Sequence, residues 1–488
     1  MSAEWPVVLI DNIKSGIKGA IAIGPFGSRM KSDCYVDKGV PVIRGTNITG
    51  GPKFEGNFVY ISEEKAQTLG SSNVFKNDLV FPHRGSIGEV GIIQDNEQYV
   101  ISSSLMKLTC DTKIANPKFI YYFFKSYLGR HQLLKNASQV GTPGIGQPLT
   151  SLKSIEIKLP PIEVQDRIDC VLSSIDEKIE LNRQTNQTLV QIAQAIFKSW
   201  FVDFEPTRAK IIAKEQGANS ATQELAAQAI ICGAITLEQL AEVEQNLETT
   251  LQQAIDEKLN QHKQTNPTAL NAQQLKTTAA LFPNELVESE LGDVPKGWEV
   301  KALDEIAHYQ NGLALQKFRP EGDEESLPVL KIAQLRKGFA DGEERASANI
   351  KPECIVDNGD VVFSWSGSLI VDIWCGGKVA LNQHLFKVTS QNYPKWFYYY
   401  WTKRHLEVFQ QIAADKAVTM GHIKREHLSQ AKCLVPADNL LELGVISNLL
   451  KKQVLLNLEN FSLENIRDAL LPKLLSGELR VNSGSHIT

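Results

Sequence analysis

The sequence predicts an α+β protein made twice: two α/β domains separated by two long helices that pair as an antiparallel coiled coil, an internal pseudo-two-fold repeat. Three observations predict it. Motifs of the first half recur in the second, the elements follow one order in both copies, and each copy ends in a long amphipathic stretch.

The repeat is read from matched segments. Val40-Pro-Val-Ile-Arg44 resembles Leu327-Pro-Val-Leu-Lys331, and Asp78-Leu-Val-Phe81 resembles Asp360-Val-Val-Phe363. Leu105-Met-Lys-Leu108 pairs with Leu385-Phe-Lys-Val388, and Pro117-Lys-Phe-Ile-Tyr-Tyr122 with Pro394-Lys-Trp-Phe-Tyr-Tyr399. Thr142-Pro-Gly-Ile145 sits where Thr419-Met-Gly-His422 sits, Leu159-Pro160 matches Val435-Pro436, and Leu189 to Phe201 matches Leu463 to Leu475. The offset falls in one direction, from 287 to 274, as small loop deletions between two copies produce and chance matches do not.

Each copy starts with Val/Ile-rich stretches broken by turn residues, which predict short strands. An aromatic helix follows, with proline near its first turn (Pro117, Pro394). A Gly/Thr loop, a strand ending in proline and the long helix complete the unit.

Residues 162 to about 202 contain no glycine or proline. Ile168, Ile175, Leu189 and Ile196 recur at sevens, with Asn182 completing the row; Leu172, Ile179, Ala193 and Trp200 form the companion row around Asn186. This is a heptad seam with a polar centre. The second stretch, about 438 to 475, carries Leu449, Leu456, Leu463 and Leu470 with Asn460 near its middle; Gly444 and Pro472 are its only breaks. A forty-residue helix spans roughly 60 Å and cannot bury its seam alone, so the two are expected to pair. Buried asparagines then set register at a cost in stability. The expected boundaries are 1–160 and 291–436 for the domains and 161–204 and 437–480 for the helices. Residues 205–290 read as a linker with accessory helices, and 481–488 as a tail.

Composition excludes several classes. At 42% hydrophobic and 22% charged residues, the 488-residue chain is of ordinary globular type. It has no apolar run long enough for a membrane span and no secretory-type start. Seven scattered cysteines without a CxxC pair fit a reducing cytoplasm and offer no zinc site. Net charge is −5, but residues 205–290 hold twelve acids against six bases, leaving about +1 elsewhere. DNA binding would therefore need local basic clusters or help from partner subunits.

No catalytic constellation emerges. There is no GxxxxGK[ST] phosphate loop, no [DNS]PP[YF] motif of base methylation and no carboxylate-plus-lysine nuclease cluster. His422 and His427 lack a nearby thiolate, and Ser102-Ser-Ser104 lacks a GxSxG setting. No metal site and no cofactor site are expected in this chain.

What remains are polar, basic and aromatic residues on loops. In the first copy they are Arg29, Lys31, Arg44, Thr46, Asn47, His83, Arg84, Ser86, Ser103, Gln139, Thr142 and Gln147. In the second they are Gln316, Lys317, Arg319, Gln334, Arg336, Lys337, Ser364, Trp365, Asn382, Gln383, His384, Lys416, Thr419, His422 and Lys424. Arginine suits guanine edges, Asn and Gln suit adenine edges, and Ser, Thr and Lys suit phosphates. Any one of them could be plain solvated surface; the signal is their recurrence at matched positions.

The chain resembles the specificity subunits of Type I restriction-modification systems over nearly its whole length. Leu159-Pro-Pro-Ile-Glu-Val-Gln-Asp-Arg-Ile168, Ile175-Asp-Glu-Lys-Ile-Glu-Leu-Asn-Arg183, Ala195-Ile-Phe-Lys-Ser-Trp-Phe-Val-Asp-Phe204, Glu288-Ser-Glu-Leu-Gly-Asp-Val-Pro-Lys-Gly-Trp298 and Pro472-Lys-Leu-Leu-Ser-Gly-Glu-Leu479 carry the resemblance. It implies two target-recognition domains, each reading half of a bipartite site in double-stranded DNA, with the helices as spacer and as dock for two methyltransferase subunits. Those subunits would hold S-adenosylmethionine, and restriction subunits would bring ATP- and Mg-dependent translocation and cleavage. The chain itself would be non-catalytic. One departure is that Pro436-Ala-Asp438 stands where the first copy has Pro-Pro-Ile. A coiled-coil scaffold with two non-DNA domains, or a stand-alone methyltransferase or nuclease with unfamiliar motifs, are the rival readings.

Overall fold

The computed structural model describes residues 5–51, 53–138, 141–243, 245–265, 271–415 and 421–481. The chain divides into two compact units, Met1–Glu180 with Ser462–Thr488, and Leu181–Phe461.

In the first unit, the strand Val7–Leu9 pairs antiparallel with Glu156–Lys158. An antiparallel sheet runs in the order Ile21–Ile23, Leu105–Leu108, Leu79–Pro82, Gly91–Ile92. A second sheet runs Tyr35–Val36, Val59–Ile61, Val40–Ile43, Tyr99–Ile101, Asn73–Val74, with one parallel pair, Val42–Ile43 beside Val100–Ile101. The helix Pro117–Lys125 covers the first sheet with Phe119, Ile120, Phe123 and Phe124. It starts where the Asn116 side chain accepts from the Lys118 and Phe119 amides, with Pro117 in the first turn, where its missing N–H costs nothing.

The second unit repeats this plan. Glu299–Ala302 pairs with Lys432–Val435. One sheet runs His308–Asn311, Leu385–Thr389, Val361–Ser364, Val371–Ile373; the other runs Arg345–Ser347, Ser326–Leu330, Val379–Leu381, Ile355–Val356. The parallel pair recurs as Val329–Leu330 beside Ala380–Leu381. The matched sequence segments thus occupy matched strands. The equivalence extends to single groups. Asp78 accepts from the Phe75 amide and faces Lys107, while Asp360 accepts from the Asp357 amide and faces Lys387. Gly24 and Gly312 pass so close to the backbone of Ser102 and Asn382 that a Cβ at either would collide.

The first long helix, Ile162–Phe201, is 40 residues. The second differs from expectation. A short helix, Asp438–Leu441, comes first, and the long one runs Gly444–Ser476. Leu440 and Leu441 are buried in the second unit's core, and the chain turns there before the long helix begins. Pro472 lies within that helix and does not end it.

The two helices run antiparallel. In the second unit Asn182 bonds Asn460 and Asn186 bonds Asn457, so a four-residue advance on one is a three-residue retreat on the other. In the first unit Arg467 pairs with Asp176 at 3.0 Å, and Ile168, Leu172, Leu471 and Leu474 share one buried cluster. On the first helix Ile168, Leu172, Ile179 and Asn182 are buried, whereas Ile175, Asn186, Leu189 and Ile196 are half-buried. On the second, the buried positions are Ile446, Leu450, Gln453, Leu456, Asn460, Leu471 and Leu474. Leu449, Leu463 and Leu470, expected on the seam, are half-buried. The most buried row sits one position C-terminal at both ends. This helix also packs its N-terminal turns on the second domain's core, and that contact selects Ile446 and Leu450.

The end of the first helix is an aromatic plug. Phe197, Trp200 and Phe201 enter the second unit's core, with Phe201 5.3 Å from Trp396 and Phe197 5.3 Å from Trp401, ring centre to ring centre. The aromatic helix Lys395–Arg404 supplies the other half of this contact.

Residues 205–280 are more than a linker. The helices Glu205–Glu215, Ser220–Ile231, Leu237–Ala241, Leu247–Thr265 and Ala272–Ala280 share their own core. Ala209, Ala213, Ala226 and Ala229 let the helices approach closely, and Leu240, Leu251, Ile255 and Leu275 fill the space. Asn219, Thr236 and Asn271 cap three of them.

Candidate nucleic-acid interface

In both domains the strand after the matched Asp leads into a loop held by the same backbone bonds. In the first, His83 N donates to Ser104 O, Gly85 N to Pro143 O and Ile145 N to His83 O, all at 2.9 Å. In the second, Trp365 N donates to His384 O, Gly367 N to Gly421 O and Ile423 N to Trp365 O, at 2.8 to 3.3 Å. An isolated bridge pairs Arg84 with Gly144 in one and Ser366 with His422 in the other. These bonds make His83 the counterpart of Trp365, Arg84 of Ser366, Ser104 of His384 and Gly144 of His422. Ser102 and Asn382 each donate a backbone N–H to the parallel strand, at Ile43 O and Leu330 O, so Ser103 corresponds to Gln383.

On this shared backbone the structure gathers Arg84, Ser103 and Thr142 in the first domain, all exposed. In the second it gathers Trp365, Gln383, His384 and His422. Trp365 lies 5.8 Å from the His384 ring and 6.4 Å from the His422 ring. Ser366 Oγ meets His384 Nδ1 at 3.0 Å, and Gln383 Nε2 meets His384 Nε2 at 3.2 Å. Ser366 was absent from the sequence-based candidates; its place three residues beyond the matched Phe363 is the signal that could have found it.

Four candidates are buried and shape loops. Asn47 Oδ1 accepts from Arg44 N at 2.9 Å, and its Nδ2 donates to Glu55 O at 2.8 Å. His83 Nε2 meets Ser103 O at 2.9 Å; burial holds its pKa below the ordinary value, the Ser103 carbonyl opposes, and Arg84 lowers it further. Ser364 Oγ lies 3.0 Å from Ser366 O and from Ser368 O, and Asn382 Oδ1 accepts from His384 N at 3.3 Å.

The others lie at or near the surface. Arg29 donates to Thr68 O at 3.3 Å, and half-buried Arg44 donates to Asn57 O at 2.9 Å. Lys31, Thr46, Ser86 and Gln147 are exposed, Gln147 at a left-handed φ of 46°. Gln316, Lys317, Arg319 and Arg336 are exposed; Gln334 and Lys337 both approach Asp341, at 3.3 and 4.0 Å. Lys424 pairs with Glu426 at 3.4 Å. Gln139, Lys416 and Thr419 lie outside the described residues.

A duplicated α/β domain with divergent side chains on a matched loop backbone, joined to paired helices, defines a two-module recognition protein. The chain belongs to the Type I restriction modification DNA specificity domain family, whose model matches residues 23–191 and 295–440. It is 27% identical over 402 residues to the Type I restriction enzyme HindI specificity subunit of Haemophilus influenzae, covering 79% of this chain and 82% of that protein. It is 23% identical over 443 residues to the MjaIX specificity subunit of Methanocaldococcus jannaschii, covering 87% and 84%. Among solved structures, the S subunit of a Type-I restriction-modification system from M. genitalium matches 96% of each chain at 16% identity and a TM-score of 0.50, a likeness of fold. No helix among the described residues is long and apolar enough to cross a membrane.

Proposed function

We propose that the chain is the non-catalytic, sequence-reading subunit of a cytoplasmic Type I restriction-modification complex. Each domain reads one half of a bipartite site in double-stranded DNA, and the paired helices set the gap between the halves. The observation that carries this reading is the matched loop backbone bearing different side chains in each domain: one architecture, two different surfaces. The helices also dock two methyltransferase subunits, which bring S-adenosylmethionine, and through them restriction subunits that use ATP and Mg. The partners supply the phosphate attraction that this chain's net charge of −5 does not.

The test is methylated-base sequencing of DNA from cells that express the full chain with its modification subunits. The reading requires a two-part motif with a fixed gap. A scaffold without a DNA role leaves no motif, and a stand-alone methyltransferase leaves one without the partner subunits.

A further inference from the structure

Among the first domain's candidate arginines, Arg29 and Arg44 spend their guanidinium groups on carbonyls of Thr68 and Asn57. Arg84 is exposed and makes no side-chain hydrogen bond or ion pair among the described residues. Its backbone is fixed by the bridge to Gly144, where the absence of a side chain leaves room beside it. A planar, rigidly based, unpaired fork of N–H donors is what a guanine edge, with two acceptors side by side, takes up.

The second domain solves the same position differently. Ser366 replaces the arginine and turns inward to His384 Nδ1. With Nδ1–H given to Ser366 Oγ, His384 Nε2 is an acceptor and receives one amide N–H of Gln383. The Gln383 side chain keeps its oxygen and its second N–H, one acceptor and one donor side by side, the complement of an adenine edge. Trp365 packs against the His384 ring and limits its rotation.

We infer that this matched loop backbone is the base-discriminating element of both domains. Arg84 reads a guanine in the first half-site, and Gln383, positioned by His384 and Ser366, reads an adenine in the second. The inference deepens the reading proposed above and rests on it.

The test uses the full chain assembled with its modification subunits, and duplexes carrying the motif obtained from host DNA with each base pair varied in turn. Arg84→Ala is expected to lose roughly ten- to hundred-fold of the preference at one G·C pair of the first half-site and to leave the second half-site unchanged. Arg84→Lys keeps the charge but loses the fork, so it should relax the same position. Gln383→Ala should relax one A·T pair of the second half-site only. His384→Ala should relax that same pair, and His384→Gln, whose longer side chain can bring an amide oxygen to the place of Nε2 and accept from Gln383, should recover part of it. Unchanged preferences in the Arg84 and Gln383 variants overturn the inference while the two-domain reading stands. So does an Arg84→Ala variant that binds every sequence more weakly by one factor and is restored by Arg84→Lys, since that is a phosphate contact. A wild-type complex without sequence preference overturns the underlying reading and this inference together.

Discussion

Asn182 donates through Nδ2 to the side-chain oxygen of Asn460 across 3.0 Å, and to Glu459 across 2.9 Å. Both asparagines are buried, at 2% and 7% exposure. A buried amide tolerates only the partner that satisfies it, so the pair ties one helix position to one position on the other.

Replacing Asn182 by Ala should leave the Asn460 oxygen buried without its donor and destabilise the chain by about 1–3 kcal/mol. Replacing both asparagines by Leu should be neutral or stabilising, because no polar group is then left unmet. Thermal unfolding of the two variants distinguishes them; equal midpoints would mean that the pair carries no specific load.

The duplicated lysine–aspartate pair predicts a graded effect. Lys107 and Asp78 side chains are 6% and 4% exposed, whereas Lys387 and Asp360 are 17% and 24% exposed. Lys107→Ala strands a buried carboxylate and should cost about 3–5 kcal/mol. Lys387→Ala strands one that water reaches and should cost less. Lys107→Met combined with Asp78→Asn should recover much of the loss. Urea unfolding gives the order, and a larger loss at Lys387 would contradict the burial argument.

How much of this was legible beforehand follows from the physics of each element. The repeat was legible because strand and core positions tolerate little change, so Asp78 and Asp360 keep one backbone role in both copies. The first seam was legible in Ile168, Leu172, Ile179 and Asn182, which are buried where the heptad spacing places them; for Ile168 and Leu172 the domain core and the second helix bury the same face. The second was legible at its middle, in Leu456 and Asn460, and read one position off at its ends, where Leu450 packs on the second domain's core and Leu471 on the first domain's. The helical bundle at 205–280 was masked by its alanine core, which has no aromatic signature. The buried role of His83 was illegible because it depends on the Ser103 carbonyl twenty residues on, and those of Asn47, Ser364 and Asn382 because a polar residue that bonds its own loop's backbone has the same residue type and spacing as one that faces solvent.

Burial lowers the pKa of His83, with Arg84 adding to the effect, and burial also lowers that of His405. Both are therefore held neutral in the fold. A folded pKa below the unfolded value means that the unfolded chain binds protons first, so the stabilisation is present above about pH 6.5 and is lost as pH falls. Urea midpoints should drop between pH 7.5 and pH 5.5, and His83→Gln should remove part of that drop. An unaltered pH slope in the variant would show that His83 does not contribute.

The helix pairing makes the ruler testable. A heptad inserted between Asn182 and Asn186, matched by one between Asn457 and Asn460, preserves the seam phase on both helices. Seven residues add about 10 Å of helix, about three base pairs of DNA at 3.4 Å each. The proposed function therefore expects methylated-base sequencing to return the same two half-sites with a longer gap. An insertion in one helix only should instead break the asparagine pairing and lower stability before it changes the gap. Altered half-site sequences in the doubly extended chain would mean that the helices take part in reading bases, and the ruler would be wrong.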